Sequence, residues 1–365
     1  MFSTFSTFNS NIIIKQPKVS YALSSVNNNV LAICLDISKN NVYAGGSFTT
    51  ANNGKLSTPN NLAYYNTTDN NWNVLPSTSI NTVYQLLFIN NILYVAANNG
   101  FYIFNIGTQL WTIFSVGIVR CIGYNSSLNM IYLGGYSGGL IYSGLTTSCL
   151  FVYNISENNL SNLTNYPTTL NIYTILVDNP RQRIFTTAFN SNPTIYFDLI
   201  RLVNINIFTT TLNRTSHACF DLSYNIYVAG ERISSVTDIS GIVTTCNQSF
   251  FYNTYTNAVS NFNSYSTATN SDMGALCFDK NGKIYFGGWA NQTVWGTFTT
   301  PIGKYWYQEY VPKTNTWSIR NSTDANNAPT CVTVDNTNNL VYIGGIFTTA
   351  PGGGAKPYIT VLPLI

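Results

Sequence analysis

The residues that could carry out acid–base or metal chemistry are few in this chain. His217 is the only histidine among 365 residues. Zinc, copper and iron sites in proteins are usually built from several histidine, cysteine or carboxylate ligands at characteristic spacings. One histidine at the start of an apolar strand does not supply such a set. We therefore predict that the chain binds no metal and no cofactor, and that His217 is a polar residue facing the centre of the fold.

The seven cysteines are spread singly along the chain, and no two of them form a CxxC pair. They are Cys34, Cys121, Cys149, Cys219, Cys246, Cys277 and Cys331. A catalytic thiolate needs a base or a positive charge beside it, and no such neighbour recurs next to these positions. We expect buried free thiols in a reducing compartment.

The acidic residues follow a structural pattern. Five aspartates occupy the same place in a repeated segment, just before a turn: Asp36, Asp178, Asp221, Asp279 and Asp335. Aspartate in that place accepts backbone N–H bonds and stabilises the turn. Glu157, Glu231 and Glu309 show none of the pairing that glycosidases require. We predict that the protein is not an enzyme. A polar cluster in which Arg201, Arg214 or Glu231 lined a central channel would favour the opposite interpretation.

The element that places these residues is an internal repeat. An apolar and aromatic strand that ends in two small residues occurs seven times, about 50 residues apart, which is the spacing of propeller blades. The copies begin at Val42, Leu93, Ile131, Ile184, Ile226, Ile284 and Val341. An apolar strand precedes each copy, and most copies are followed by an aromatic strand and then by another, which often begins with tryptophan. These short segments are rich in β-branched and aromatic residues and are bounded by Asn, Asp, Gly and Thr, so we predict strands.

The repeat predicts an all-β fold, a seven-bladed β-propeller with four-stranded antiparallel blades. We label the strands of a blade A to D from the axis outwards. The two small residues end strand B, near the axis, where a Cβ atom would clash. The predicted propeller spans 12–365, with a flexible N-terminal arm at 1–11. The predicted blades are 30–76, 80–115, 117–165, 170–211, 215–262, 273–320 and 328–365, and the segment 17–23 closes the last blade as its fourth strand.

The repeat resembles the kelch repeat. Tyr64–Trp72 and Tyr310–Trp317 carry the resemblance best, because each combines tyrosine, a turn and tryptophan. The phrases Gly45–Ala51 and Gly344–Ala350 also resemble repeats of bacterial and fungal surface propellers. The resemblance covers nearly the whole chain and implies the fold without implying an activity. The composition, rich in Asn, Ile, Tyr and Phe, is similar to that of giant-virus proteins.

Charge excludes some classes of partner. Only 8% of residues are charged, against about 25% in typical domains, and the net charge is +3 without a basic run. We expect no nucleic-acid binding. We also expect no membrane insertion, because no stretch of about 18 apolar residues occurs.

No signal peptide is evident, so we expect the protein in a virus particle if it is viral and inside the cell otherwise. A surface with few charges is inexpensive to desolvate and suits a packed assembly.

A short motif marks the predicted binding face. Five B–C loops contain an apolar residue followed by two threonines, and in three blades that are adjacent in a closed ring the apolar residue is phenylalanine. These three copies are Phe48, Thr49, Thr50, Phe298, Thr299, Thr300, Phe347, Thr348 and Thr349. B–C loops and D–A connections share one face of a propeller, and binding residues concentrate on such loops. The alternative is that each phenylalanine packs its loop onto the blade while the threonines satisfy backbone groups.

These observations predict a non-catalytic structural or protein-interaction module, a component of a virus particle whose partners are other proteins of the assembly. The alternative is a carbohydrate-binding propeller, in which exposed tyrosine and tryptophan stack on glycans. Phe2, Phe5 and Phe8 offer a third contact if the N-terminal arm docks on a partner rather than forming a tail.

Overall fold

The computed structural model describes the greater part of the chain. The described residues are 26–58, 60–145, 148–163, 165–167, 170–188, 194–210, 214–231, 235–238, 240–246, 249–260, 271–290, 294–295, 298–299, 304–314, 316–319, 326–348 and 358–364. The predicted arm at 1–11 and the predicted closing strand at 17–23 lie outside these residues.

Seven antiparallel sheets form a seven-bladed β-propeller, which confirms the predicted fold class. Strands A to D follow one another both in the chain and across each sheet. Blade 1 comprises Val30–Asp36, Asn41–Gly46, Leu62–Asn66 and Asn71–Val74; blade 2 comprises Val83–Ile89, Ile92–Ala97, Gly100–Asn105 and Leu110–Phe114; blade 3 comprises Gly117–Asn125, Met130–Leu140, Leu150–Asn154 and Asn159–Asn162. Blade 4 comprises Ile172–Asp178, Arg183–Ala188, Thr194–Asp198 and Val203–Thr210; blade 5 comprises Arg214–Phe220, Ile226–Glu231, Ser249–Tyr252 and Val259–Ser260.

Blade 6 comprises Ser271–Phe278, Ile284–Ala290, Lys304–Val311 and Thr316–Ile319. Blade 7 shows three strands, Pro329–Asp335, Leu340–Gly345 and Ile359–Pro363, within the described residues. The described helical structure is one 3-10 turn, Ile37–Lys39.

The hydrophobic core is divided among the interfaces between blades. Strand B of blade 1 is buried along its whole length because its alternate side chains pack against different neighbours. Val42 joins a cluster with blade 7, whereas Tyr43 joins a cluster with blade 2. Seven such clusters occur, one for each pair of adjacent blades, and the cluster between blades 7 and 1 closes the ring.

Polar side chains stabilise the turns as predicted. The carboxylate of each of the five repeated aspartates accepts a hydrogen bond from a backbone N–H two to four residues further on. Asparagine does the same at the C–D turns, where Asn66 accepts from Thr68 and Asn154 from Ser156. Because neighbouring strands of a blade are antiparallel, the A–B and C–D turns lie on one face of the ring and the B–C and D–A connections lie on the other.

Candidate functional site: the channel and the loop face above it

Each of the seven A strands carries a β-bulge at the same place. In blade 1, Val30 pairs with Gly46 and Ala32 with Gly45, so Leu31 is an extra residue without a ladder partner. The same shift occurs opposite the small residues of every other strand B. The bulged residues are Leu31, Tyr84, Arg120, Tyr173, Ser216, Gly274 and Thr330. Bulges re-aim side chains and are common next to binding and active sites.

The small residues of strand B leave room for the bulge and for the next blade. A Cβ atom on Gly134 would lie 2.6 Å from Cys121 Sγ and 2.8 Å from Ile172 Cγ2 of blade 4. One on Gly135 would meet the carbonyl oxygen of Ile118, just before the bulge. The predicted reason for the small pair, crowding near the axis, is therefore correct.

A cavity of about 230 Å³ occupies the central channel, with lining residues from all seven A strands. Five bulged residues line it: Leu31, Tyr84, Arg120, Tyr173 and Thr330. The lining residues come mainly from the first halves of these strands, so the cavity lies nearer the B–C loop face. His217 also lines the cavity, as predicted from its place at the start of strand A.

Arg120 is held among three tyrosines. Its guanidinium carbon lies 3.9 Å from the centre of the Tyr84 ring, 4.8 Å from that of Tyr136 and 6.0 Å from that of Tyr173. Its Nη2 donates a hydrogen bond to the hydroxyl of Tyr136, whose oxygen lies 3.5 Å from that of Tyr173. The Tyr84 hydroxyl donates to Asn98 Oδ1 at 3.1 Å. Cation–π contacts and these hydrogen bonds fix the position of the positive charge.

Two further titratable groups of the cavity wall, His217 and Cys331, are uncharged at neutral pH. Burial lowers the pKa of His217 to about 4, so its imidazole is neutral. Burial raises the pKa of Cys331, which also lines the cavity, to about 12. Arg120 is thus the one charged side chain among the described residues that line the cavity.

The cysteines and the three residues proposed for an enzymatic channel lie as follows. All seven cysteines are free, as predicted, but only Cys121, Cys149 and Cys246 are buried and the other four are partly buried. Desolvation raises the pKa of each thiol. Arg201 lies exposed in the C–D turn of blade 4, away from the channel, where its N–H donates to Asp198. Arg214 and Glu231 pair across blade 5, and their side chains lie outside what is described. No group of three His, Cys, Asp or Glu side chains suited to a metal ion occurs in the described part of the chain.

The predicted phenylalanine arc needs a correction. Phe48 and Phe347 are fully buried, because Phe48 packs into the cluster between blades 7 and 1 and Phe347 into the cluster between blades 6 and 7. Their rings are therefore not available to a partner, and the alternative interpretation, in which phenylalanine anchors its loop, holds for these two residues. The side chains of Phe298 and Thr299 and the whole of Thr300 and Thr349 lie outside the described structure. A role of this face in binding stays a prediction.

The same asparagine–threonine pair recurs in the loops of blades 1 and 7. Thr49 Oγ1 accepts from Asn27 Nδ2 at 3.0 Å, and Asn27 Oδ1 accepts from the N–H groups of Thr49 and Thr50. In blade 7, Thr348 Oγ1 accepts from Asn326 Nδ2 at 2.6 Å, and its N–H donates back to Asn326 Oδ1. Each asparagine precedes its strand A by three residues, so the pair fastens the B–C loop to the D–A connection.

Additional hairpins build up the B–C loop face. They are Thr50–Ala51 with Leu56–Ser57, Ser235–Asp238 with Val243–Thr245, and Val294–Trp295 with Phe298–Thr299. The second hairpin comes from blade 5 but pairs with the end of strand D of blade 4, which makes that sheet six-stranded. Ile242 and Val243 on this hairpin are 62% and 63% exposed, and Ile141 in the B–C loop of blade 3 is 59% exposed. These aliphatic residues, rather than the phenylalanines, are the apolar side chains that the described loop face presents.

Sequence reasoning missed Arg120 and its three tyrosines. The bulges that turn Tyr84, Arg120 and Tyr173 inwards leave no mark in the sequence of a single strand. The available signal was the comparison of the seven repeats. The bulged position contains Leu, Tyr, Arg, Tyr, Ser, Gly and Thr, whereas the second position after it is apolar in all seven blades.

Comparison with known proteins supports the fold. No protein-family model matches the chain, and no curated protein matches it; the kelch resemblance and the viral origin stay predictions. Two solved structures from B. thetaiotaomicron are similar in shape: extracellular domains of proteins described as a hybrid two-component system and a one-component system. The TM-scores are 0.59 and 0.60 at 13% identity. The alignments cover 93% of this chain but 39% of each of those chains, so the chain spans about two fifths of their length.

No described helix is long and apolar enough to cross a membrane.

Proposed function

We propose that this propeller is a non-catalytic interaction module that binds another protein of a larger assembly through its B–C loop face. The observation that carries the proposal is the hairpin Ser235–Asp238 and Val243–Thr245, which exposes Ile242 and Val243 on that face. Apolar side chains held on a paired hairpin lose little conformational entropy on binding, because their backbone is already fixed. The scarcity of charge lowers the cost of desolvating the surrounding surface.

Lysine cross-linking of the native assembly can locate the bound face. Lys55 lies exposed in the B–C loop of blade 1, whereas Lys39 and Lys280 lie exposed in A–B turns on the opposite face. We expect intermolecular cross-links at Lys55 and few at Lys39 and Lys280. Cross-links concentrated at the A–B turns would contradict the proposal.

Substitution then tests the hairpin itself. Ile242→Asp with Val243→Asp should weaken binding of the partner identified by cross-linking about tenfold or more, because two charges must be desolvated in the interface. Leu222→Asp is the matched control, since Leu222 is 67% exposed but lies in the A–B turn of the same blade. Equal effects of the two changes would contradict binding through the B–C loop face.

The finer part of the proposal is that the assembly is a virus particle. It requires the chain to be present in purified particles in a fixed ratio to the major structural protein, as measured by quantitative mass spectrometry. Particles without the chain would contradict this part alone and leave the binding face unaffected.

The carbohydrate-binding alternative depends on exposed aromatic rings, and the two tryptophans whose side chains are described do not supply them. Trp72 is buried, and the indole N–H of Trp111 donates to the carbonyl of Pro76. In the channel, the guanidinium of Arg120 covers the face of the Tyr84 ring. Tyr255 is 67% exposed, but Arg181 lies 4.0 Å from its ring centre. We therefore place protein binding first, and a glycan array without a hit would agree with this order.

A further inference from the structure

We propose that the cavity in the central channel binds a carboxylate at Arg120. This site is separate from the protein-binding face proposed above, and its chemistry follows from four observations: charge, unused donors, size and the surrounding hydroxyls.

The first observation is an unneutralised positive charge. Arg120 is the one charged group among the described residues of the cavity wall, and His217 there is neutral. No carboxylate of the described residues forms an ion pair with it, whereas Arg181 pairs with Asp178 and Lys283 with Glu309. A cation partly withdrawn from water loses solvation energy that aromatic faces recover only in part. An anion in the cavity would restore that energy.

The second observation is that some N–H donors of the Arg120 guanidinium make no hydrogen bond. Nη2 donates to Tyr136, but Nε is buried without a hydrogen-bond partner, and Nη1 makes no hydrogen bond with a described residue. The tyrosine contacts hold the guanidinium plane in place. Nε is buried away from the cavity, but Nη1 and the second proton of Nη2 remain unused at the outer end of the fork. These two groups match the two oxygens of a carboxylate, which accept parallel N–H bonds.

The third and fourth observations set the size and the surroundings of the ligand. About 230 Å³ is less than the roughly 300–1,000 Å³ of sites for drug-sized ligands, so the cavity suits a small acid or one acidic side chain. The hydroxyls of Tyr136 and Tyr173 lie 3.5 Å apart. Because the Tyr136 oxygen accepts from Arg120, its own proton can be donated to Tyr173 or, when a ligand is bound, to a ligand oxygen.

The experiment measures thermal unfolding of the full chain in increasing sodium acetate, with sodium chloride added to hold the ionic strength constant. A ligand that binds the folded state raises Tm in a saturable way. We expect such a rise with acetate and none with acetamide at the same concentration, because the neutral amide carries no charge and presents one oxygen to the guanidinium instead of two. The blocked amino acid N-acetyl-aspartic acid amide separates the two sources of a carboxylate. Binding tighter than acetate indicates a partner's acidic side chain, and binding no tighter indicates a small free acid.

Variants separate binding from a structural role. Arg120→Met should weaken acetate binding about tenfold or more, and Arg120→Lys should retain part of it, because lysine keeps the charge and loses the fork. Tyr173→Phe removes one hydroxyl and should weaken binding a few-fold. Arg181→Met, in an A–B turn outside the channel, is the matched control and should leave acetate binding unchanged.

An arginine that only supports the tyrosines would give another result. Arg120→Met would then lower Tm equally at every acetate concentration and leave the acetate-dependent rise as in the unaltered protein. That result would overturn the proposal, as would an equal response to acetamide and to acetate. Both results differ from a failure of the proposed protein binding, because the channel variants leave the residues of the B–C loop face unchanged.

Discussion

Burial determines which side chains keep their charge at the centre of this molecule. The thiols are held protonated, because burial raises the pKa of each cysteine, and His217 is held neutral because burial lowers its pKa to about 4. Arg120 keeps its charge, since a guanidinium does not lose its proton in proteins. One fixed positive charge therefore dominates the described channel wall.

The lowered pKa of His217 predicts a pH dependence of stability. The unfolded chain binds a proton at its ordinary pKa of 6.5, whereas the folded chain does so only near pH 4. Between these values the unfolded state holds more protons, so the free energy of unfolding falls as pH falls through this range. We expect a loss of up to about 3 kcal/mol, complete below pH 4. Urea unfolding at a series of pH values measures it.

The matched variant for this prediction is His217→Asn, which keeps a polar side chain that does not titrate. The difference in unfolding free energy between the two proteins should be constant above pH 6.5 and change between pH 6.5 and 4. Carboxylates affect both proteins alike and cancel in the difference. A constant difference throughout would mean that His217 titrates equally in both states.

The loop threonines show what a repeated sequence motif predicts and what it does not. The sequence correctly singled out Phe48, Thr49 and Thr348 as a repeated device. It did not indicate the direction of each side chain, because that depends on contacts with Asn27 and Asn326, which lie about 20 residues away and carry no motif of their own.

At the level of elements, strand B determines how the blades pack. Its alternate side chains enter two different interfaces, so an apolar run with little polar alternation was the correct signal for a strand buried on both faces. The blade 5 hairpin was not predictable in the same way. Val243 to Thr245 read as a loop, but these residues form the outer edge strand of the blade 4 sheet. Pairing with another blade depends on three-dimensional proximity, which a short local pattern does not encode.

The hairpin should be held by Val236, which is fully buried against Phe185 and Tyr196 of blade 4 and Phe250 of blade 5. Val236→Ala removes two methyl groups and leaves a cavity, so we expect a loss of about 2 kcal/mol. Amide hydrogen exchange should quicken in both Ser235–Thr245 and the paired end of Val203–Thr210.

Val243→Ala is the control, because it lies on the same hairpin but is 63% exposed. It should change stability by less than about 0.5 kcal/mol. Faster exchange confined to the hairpin, with the blade 4 strand unaffected, would mean that the two elements open independently.

At the scale of the whole molecule, the ring is closed by contacts between the ends of the described chain. The hydroxyl of Thr330 donates to the carbonyl of Val30 at 2.6 Å, and Val30 packs with Tyr342 and Ile359 of blade 7. The number of blades was predictable because the strand B phrase repeats seven times. The fourth strand of blade 7, predicted at 17–23, stays a prediction.

Truncation tests that closing strand. Removal of residues 1–11 should leave Tm nearly unchanged, because the predicted arm contributes no strand. Removal of residues 1–24 should lower Tm by about 5 °C or more, because it exposes the edge of blade 7 and removes a strand's worth of backbone hydrogen bonds. Equal Tm values for the two truncated proteins would show that 17–23 does not close the ring.

The seven bulges have a consequence for how such a molecule can acquire new ligands. A residue outside the hydrogen-bonded ladder can be exchanged without loss of a ladder hydrogen bond, and here five such residues, from blades 1, 2, 3, 4 and 7, line the central cavity. The residues at these bulged positions can therefore vary one at a time. Tyr84, Arg120 and Tyr173 occupy the bulged positions of three consecutive blades. A single substitution at Leu31, in the blade next to that of Tyr84, would change the side chains that line the channel while the paired residues of blade 1 keep their partners.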